Sequence, residues 1–304
     1  MSVDIYFAGS QCKESDELIA QKGLCRLFSY YNDKSALLKR FEQKIPGKLF
    51  IDSGAFTAWT KGISIDVDTY IDYLNKYSEY ITLAGQVDTI AGTPDTIPTA
   101  EQQEEASIAT WENYLYMYEK LNKPEMLVYT FHIGENFKYL KQALEWKDSN
   151  GKHFEYMALG GTVGKPVNMK IEWFKQCWEI IKSSSNPNVK VHAFGMTSLK
   201  VLENFPFTSA DATSWIMTGS NGGIFTKYGT LYVSNKRTSE KEHYSHLPEN
   251  IRNSILKDIE SYGYSIQELE EDYKARVCYN ILYQYKWSQN CVPIYKRTGR
   301  KTLF

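Results

Sequence analysis

The feature that most restricts the fold is an alternation that runs eight times along the chain. Short apolar, β-branched or aromatic runs fall at 3–9, 24–30, 48–54, 80–88, 126–134, 155–161, 189–196 and 207–215. Amphipathic helical patterns fill most of the gaps, at 13–22, 33–44, 66–79, 99–121, 136–149, 168–184 and 197–204. Strands that alternate with helices predict a parallel sheet covered on both faces. Eight such units predict an α/β fold of the (β/α)8 TIM type, whose usual size is roughly 250 residues. The competing architecture, an open doubly wound sheet, commonly carries GxGxxG or GxxxxGK[ST] after an early strand, and neither motif occurs here.

On this reading the barrel occupies 1–216 and a second part, 217–304, follows it. That second part holds a Gly-rich stretch at 220–237, read as a β-hairpin, and helical patterns near 248–262 and 265–288. No Pro-rich linker or low-complexity tract separates the two parts, so the C-terminal part is expected to pack on the barrel. No run of 18 apolar residues occurs, and no basic stretch followed by an apolar one marks a signal peptide; a cytoplasmic protein with no membrane association is expected. Five scattered cysteines, with no Cys-x2-Cys pair, suit free thiols in a reducing compartment.

A formal charge of -1 conceals an uneven distribution. Residues 274–304 contain seven Lys or Arg and no Asp or Glu, leaving 28 basic against 36 acidic residues in 1–273. The body is thus near -8 and the tail near +7. Aromatics are interleaved with the tail's cations, among them Tyr279, Tyr283, Tyr285, Trp287, Tyr295 and Phe304. That pattern suits a polyanion with stackable bases, and it equally suits a helix whose rings pack on the body while its charges stay in water.

In a (β/α)8 barrel the active site lies at the C-terminal strand ends. Those ends carry Asp52, Ser53 and Gly54 after the third strand, Asp88 after the fourth, His132 at the fifth, Gly160 and Gly161 after the sixth, Gly195 after the seventh and Asp211 after the eighth. Phe56, Phe194 and Trp215 lie near the same ends, where rings can sandwich a flat ligand. Two carboxylates flanking a glycosidic bond supply a nucleophile and a proton carrier, and a third can accept hydrogen bonds from a purine edge. Each aspartate alone also fits a cap or turn role, for which Asp is favoured. The capping alternative must account for three carboxylates converging on one rim.

With these residues in place, the sequence from about residue 49 to 235 resembles the queuine/archaeosine tRNA-guanine transglycosylase superfamily, and within it the phage and bacterial DNA-guanine transglycosylase branch. DSGAF (52–56) resembles that family's DSGGF, ALGGTVG (158–164) its Gly-Gly substrate loop, and VHAFGMTS (191–198) its seventh-strand Gly segment. SADATSW (209–215) occupies the place of the nucleophilic aspartate, and GGIFTKYGTLYVSN (222–235) resembles the hairpin that follows. The resemblance implies an enzyme that exchanges guanine in DNA for a 7-deazaguanine, a 7-cyano derivative or a relative of it. Asp211 would be the nucleophile and Asp52 the general acid and base. Asp88, Ser53, Phe56, His132, Gly160, Gly161, Phe194 and Gly195 would hold the base; a core histidine bonded to backbone is the other reading of His132. The setting implied is the cytoplasm, of the host if the chain is phage-encoded.

Two departures bear on the polymer. The tRNA-acting members close with a Cys-x-Cys-x2-Cys and His zinc site, whereas Cys278, Cys291, His243 and His246 are irregularly spaced, so no metal and no other cofactor is expected. Nor do residues remain for a separate RNA-binding domain. Both departures lean toward DNA, extruded or single-stranded, contacted by Lys227, Lys236 and Arg237 of the hairpin and by Lys286, Lys296, Arg297, Arg300 and Lys301 of the tail. Three alternatives stay open at this stage: a tRNA-guanine transglycosylase without its zinc site, a catalytically silent barrel that binds nucleic acid, and a carbohydrate-active barrel.

Overall fold

The computed structural model describes residues 3–196 and 198–291. Eight parallel strands close into a barrel in chain order: β1 (Asp4–Ala8), β2 (Arg26–Ser29), β3 (Leu49–Asp52), β4 (Leu83–Gly85), β5 (Leu127–His132), β6 (Tyr156–Gly160), β7 (Lys190–Ala193) and β8 (Ser209–Ala212). Closure is made by β8 against β1, with Ala210 opposite Ile5 and Asp211 opposite Tyr6. Around the strands lie α1 (Lys13–Gln21), α2 (Lys34–Glu42), α3 (Ala55–Thr60), α4 (Val67–Lys76), α5 (Ala100–Lys120), α6 (Phe137–Glu145), α7 (Val167–Ser183) and α8 (Leu199–Asn204). After β8 come α9 (Ser214–Ser220), a hairpin of β9 (Gly223–Thr226) and β10 (Gly229–Tyr232), then α10 (Glu249–Ser261), α11 (Ile266–Glu271) and α12 (Tyr273–Asn290). The chain is a (β/α)8 barrel with a hairpin and additional helices.

Alternation along the strands divides the apolar residues into two cores, because successive side chains point to opposite faces. One set (Tyr6, Ala8, Leu27, Phe50, Leu83, Val128, Tyr156, Ala158) fills the lumen, with Phe194 packed against it. The intervening residues, such as Ile5, Phe7, Ile51, Tyr129, Met157, Leu159 and Val191, pack outward among the helices. Each such side chain contributes about 1.5–3 kcal/mol when fully buried. Continuing the inward set toward the strand ends leads from Phe50 to Asp52, from Val128 through Thr130 to His132, from Ala158 to Gly160, and from Ser209 to Asp211. The site is therefore the topmost layer of the lumen.

The helix expected over 265–288 is two helices. Asp272 has an extended backbone (φ -109, ψ 119), and its side chain accepts the Lys274 N–H at 2.8 Å, so it ends α11 and caps α12. A short polar side chain that competes for backbone N–H groups explains the break. The short α3, directly after β3, is a further element that the sequence pattern does not mark.

Helix α12 supplies what α9, seven residues long, is too short to provide: a full-length cover beside β1. Its Val277 and Ile281 belong to the outer barrel core. At one end the Lys274 ammonium pairs with Glu14 at 2.7 Å, near the start of α1. At the other, Ser288 O accepts the Val3 N–H at 3.3 Å and the Trp287 indole N–H donates to Glu203 at 3.2 Å. The helix thus runs from the rim at the C-terminal strand ends to the opposite end of the barrel, between α1 and α8. Fully buried Asn280 ties the hairpin to it, accepting from Phe225 N–H at 2.9 Å and donating to Gly223 O at 3.3 Å. Among the described residues no two cysteines form a disulfide, and no helix is long and apolar enough to cross a membrane.

Candidate active site

Asp211 closes the inward row of β8 and is 8% exposed. Its Oδ1 accepts the Gly195 N–H at 2.6 Å and faces His192 Nε2 at 3.3 Å; Oδ2 has no hydrogen bond among the described residues. Gly195 has φ +60, a left-handed conformation that costs glycine little and that turns its N–H toward the carboxylate. Behind Asp211 the lumen holds a polar line. His192 Nδ1 lies 2.8 Å from Ser209 Oγ, and Ser209 Oγ lies 2.9 Å from the Tyr156 hydroxyl. His192 and Ser209 are fully buried and enclosed by rings, with Phe194 at 4.7 Å, Phe50 at 4.8 Å and Tyr6 at 5.9 Å from the imidazole.

Across the rim, Asp52 ends β3 and accepts a single backbone hydrogen bond, from Gly54 N–H at 3.1 Å. Burial, then the charges of Asp88 and Asp211, push its pKa up to about 7. A carboxyl group that is half-protonated near neutrality can both give and take a proton. The Coulombic influence of Asp88 and Asp211 also places all three carboxylates in one field.

Asp88 is held from two directions. Gln86 Nε2 donates to its Oδ1 at 3.0 Å, and His132 Nε2 lies 3.4 Å from its Oδ2. On the other side of the imidazole, Nδ1 meets Glu135 Oε1 at 2.8 Å. Burial acts to lower the His132 pKa, but Asp88 and Glu135 outweigh it and raise it to about 10. His132 is therefore an imidazolium clamped between two carboxylates at neutral pH. Both of its ring nitrogens are engaged by these carboxylates.

The remaining base-binding candidates divide by depth. Ser53 is buried, its Oγ accepting the Ala55 N–H at 3.4 Å. Phe56 stands 66% exposed on α3, its ring 5.8 Å from Trp59, while Phe194 caps the lumen. A Cβ at Gly160 would come within 3.0 Å of the His132 ring, so glycine is what lets β6 pass that close. Gly161 has φ +73. Trp215 is buried against Phe7, 6.2 Å away, on the outer side of the barrel rather than at the site. Glu135, Gln86, His192, Ser209 and Tyr156 were not singled out in the sequence, yet they hold Asp88 and Asp211 in place.

The basic residues do not form one surface. Lys236 and Arg237 line a cavity of about 790 Å³ together with Gln11, which follows the C-terminal end of β1 on the side of the three aspartates. Lys227 and Lys286 instead line a cavity of about 330 Å³ with Glu203 and Asn290, toward the opposite end. Lys227 is paired with Asp258 at 3.2 Å, Arg237 with Glu240 at 3.2 Å, and the Lys286 ammonium sits 4.6 Å from the Tyr262 ring centroid. Arg276, counted among the tail's cations, is buried and donates to Gly219 O at 2.9 Å and Leu269 O at 2.7 Å. Lys296, Arg297, Arg300 and Lys301 lie outside the described residues. No group of three or more His, Cys, Asp or Glu arranged to hold a metal ion occurs among the described residues. Searched against protein-family models and against curated proteins, the chain matches none.

Proposed function

We propose that the protein is a base-exchanging pentosyltransferase that replaces guanine in DNA with a 7-deazaguanine. The observation that carries this reading is the inequality of two rim carboxylates. Asp211 has one oxygen engaged by the Gly195 N–H and the His192 ring and the other left open, and Asp52 holds a proton up to about pH 7. That is the division of labour a double displacement at a sugar carbon requires. The choice of guanine and DNA rests on the motif resemblance.

In the first displacement Asp211 Oδ2 attacks C1′ of the extruded deoxyguanosine as the C1′–N9 bond breaks. The bonding pair leaves with guanine, which takes the Asp52 proton, and an aspartyl–deoxyribose ester remains. In the second, the Asp52 carboxylate removes the N9 proton of the incoming 7-deazaguanine. Its N9 attacks C1′ and expels Asp211, and two inversions retain the configuration. Asp88, held by Gln86 and His132 on the same rim, would serve as an acceptor for the N–H groups of the base. Extruding the nucleotide costs a few kcal/mol, which phosphate contacts near Lys236 and Arg237 would offset.

The test is denaturing electrophoresis of the protein incubated with duplex DNA, single-stranded DNA or tRNA in the absence of an incoming base. A covalent band with DNA is expected, lost in Asp211→Ala and dispersed when 7-cyano-7-deazaguanine is added. A band formed with tRNA alone would move the polymer to RNA. A band that survives Asp211→Ala would overturn the nucleophile.

A further inference from the structure

Resting on the reading of Asp211 as the attacking group, we propose that His192 is its positioning residue: from inside the lumen it holds Oδ1 so that Oδ2 faces the sugar carbon, and Ser209 and Tyr156 determine which His192 nitrogen carries the proton. The order Ser209, His192, Asp211 superficially matches a hydrolase triad. Ser209 is fully buried beneath the histidine, however, and no substrate reaches it. Access is from the Asp211 end, so the line runs in the reverse sense.

Donor and acceptor capacities fix the direction. An ionised carboxylate only accepts, so the proton in the 3.3 Å contact belongs to His192 Nε2. A hydroxyl can donate once while accepting, so Tyr156 can donate to Ser209 Oγ and Ser209 to His192 Nδ1, at 2.9 and 2.8 Å. Every group in the line is then satisfied, and the imidazole is held as the Nε2–H tautomer. The rings of Phe50, Phe194 and Tyr6 leave it little room to rotate. With Gly195 N–H on the same oxygen, Asp211 has one carboxylate oxygen tied twice and the other open.

Two measurements test this. Imidazole ¹⁵N NMR of the full-length protein should show His192 with its proton on Nε2, and the signal should move in both Ser209→Ala and Asp211→Asn; this readout needs no catalysis. In single turnover, His192→Leu should slow formation of the covalent adduct roughly 10- to 100-fold, the scale of one hydrogen bond to a charged group, with DNA affinity unchanged. His192→Gln, whose side-chain amide can donate to the same oxygen, should recover most of the rate. A proton on Nδ1 alone, an adduct rate unaffected by His192→Leu, or Gln no better than Leu would each refute the proposal. Should His192→Leu fail to fold, Tyr156→Phe and Ser209→Ala, which remove only hydroxyls, carry the kinetic test. If the wild type forms no adduct with any polymer, the base-exchange reading fails, and the NMR arm still decides whether His192 orients Asp211.

Discussion

Asp52 and Asp211 are the same residue type at the ends of two inward rows, yet their surroundings make them different chemical groups. Asp211 faces two donors; Asp52 has one backbone N–H and two neighbouring negative charges. The first arrangement fixes an orientation, and the second fixes a protonation state. Position in the barrel brings both to the rim, and what lies beneath and beside each determines what it can do. The β3–β5 side is organised by charge, through an imidazolium between carboxylates. The β7–β8 side is organised by a line of hydrogen bonds that ends on a carboxylate.

The comparison breaks most readily at Asp52. Asp52→Asn should reduce base exchange by about 10²–10⁴, and single-turnover adduct formation should lose its dependence on a group near pH 7. In the wild type that rate should fall as pH rises through about 7, because departure of guanine uses the protonated form. Stability should also fall with rising pH, over a lower window. A carboxyl whose pKa is raised on folding binds more protons in the native state between about pH 4 and 7, so the native state loses stability across that window as pH rises. Asp52→Asn should remove this loss and raise stability at pH 8 by roughly 1–3 kcal/mol, measured by urea denaturation. An unchanged pH–rate profile in Asp52→Asn would mean that the two aspartates are not divided in this way.

His132→Leu should cost about 3–5 kcal/mol of stability, since it leaves buried Glu135 and half-buried Asp88 without their cation. A raised histidine pKa gives a contribution that is complete below its ordinary value near 6.5 and lost as pH rises through about 10. The wild type should therefore lose stability across that alkaline window, and His132→Leu should not. Equal slopes in the two proteins would show that Asp88 is not held by charge.

The smallest expected effect separates the two basic surfaces. Replacing Lys236 and Arg237 by Ala should weaken DNA binding and reduce the salt slope by about 1 for each phosphate that is no longer neutralised, as read by fluorescence anisotropy over a salt series. The same change at Lys227 and Lys286, toward the far end, should leave the slope unaltered. Equal effects from both pairs would place the polymer along the side of the barrel rather than across its rim.

The strands, the barrel and the three aspartates were legible because each leaves a local signal: a short apolar run, a periodic interval, a carboxylate just past a strand end. The supporting residues leave a weaker one. His192 lies two residues before Phe194, and Ser209 two before Asp211, so alternation alone assigns each pair to one face of its strand. A histidine inside the apolar VKVHAF run was the available flag, since buried polar groups call for partners. Those partners sit on neighbouring strands, and only the register of β6, β7 and β8 brings Ala158, His192 and Ser209 side by side. The split of the cations was not legible at all. Lys227 and Lys236 are close in sequence but at opposite ends of a hairpin, and hairpin direction relative to the barrel is set by Asn280, far along the chain.

That late helix has a consequence for the order of events in biosynthesis. The flank of β1 between α1 and α8 stays uncovered until α12 has been made, so the nascent barrel carries an open apolar seam through most of its synthesis. One hydrogen bond of this helix joins Ser288 to Val3, nearly the full span of the described chain. Closure of such distant pairs is entropically slow. The seam is where a ribosome-bound intermediate would be met by a chaperone, and where a chain truncated before residue 273 would aggregate.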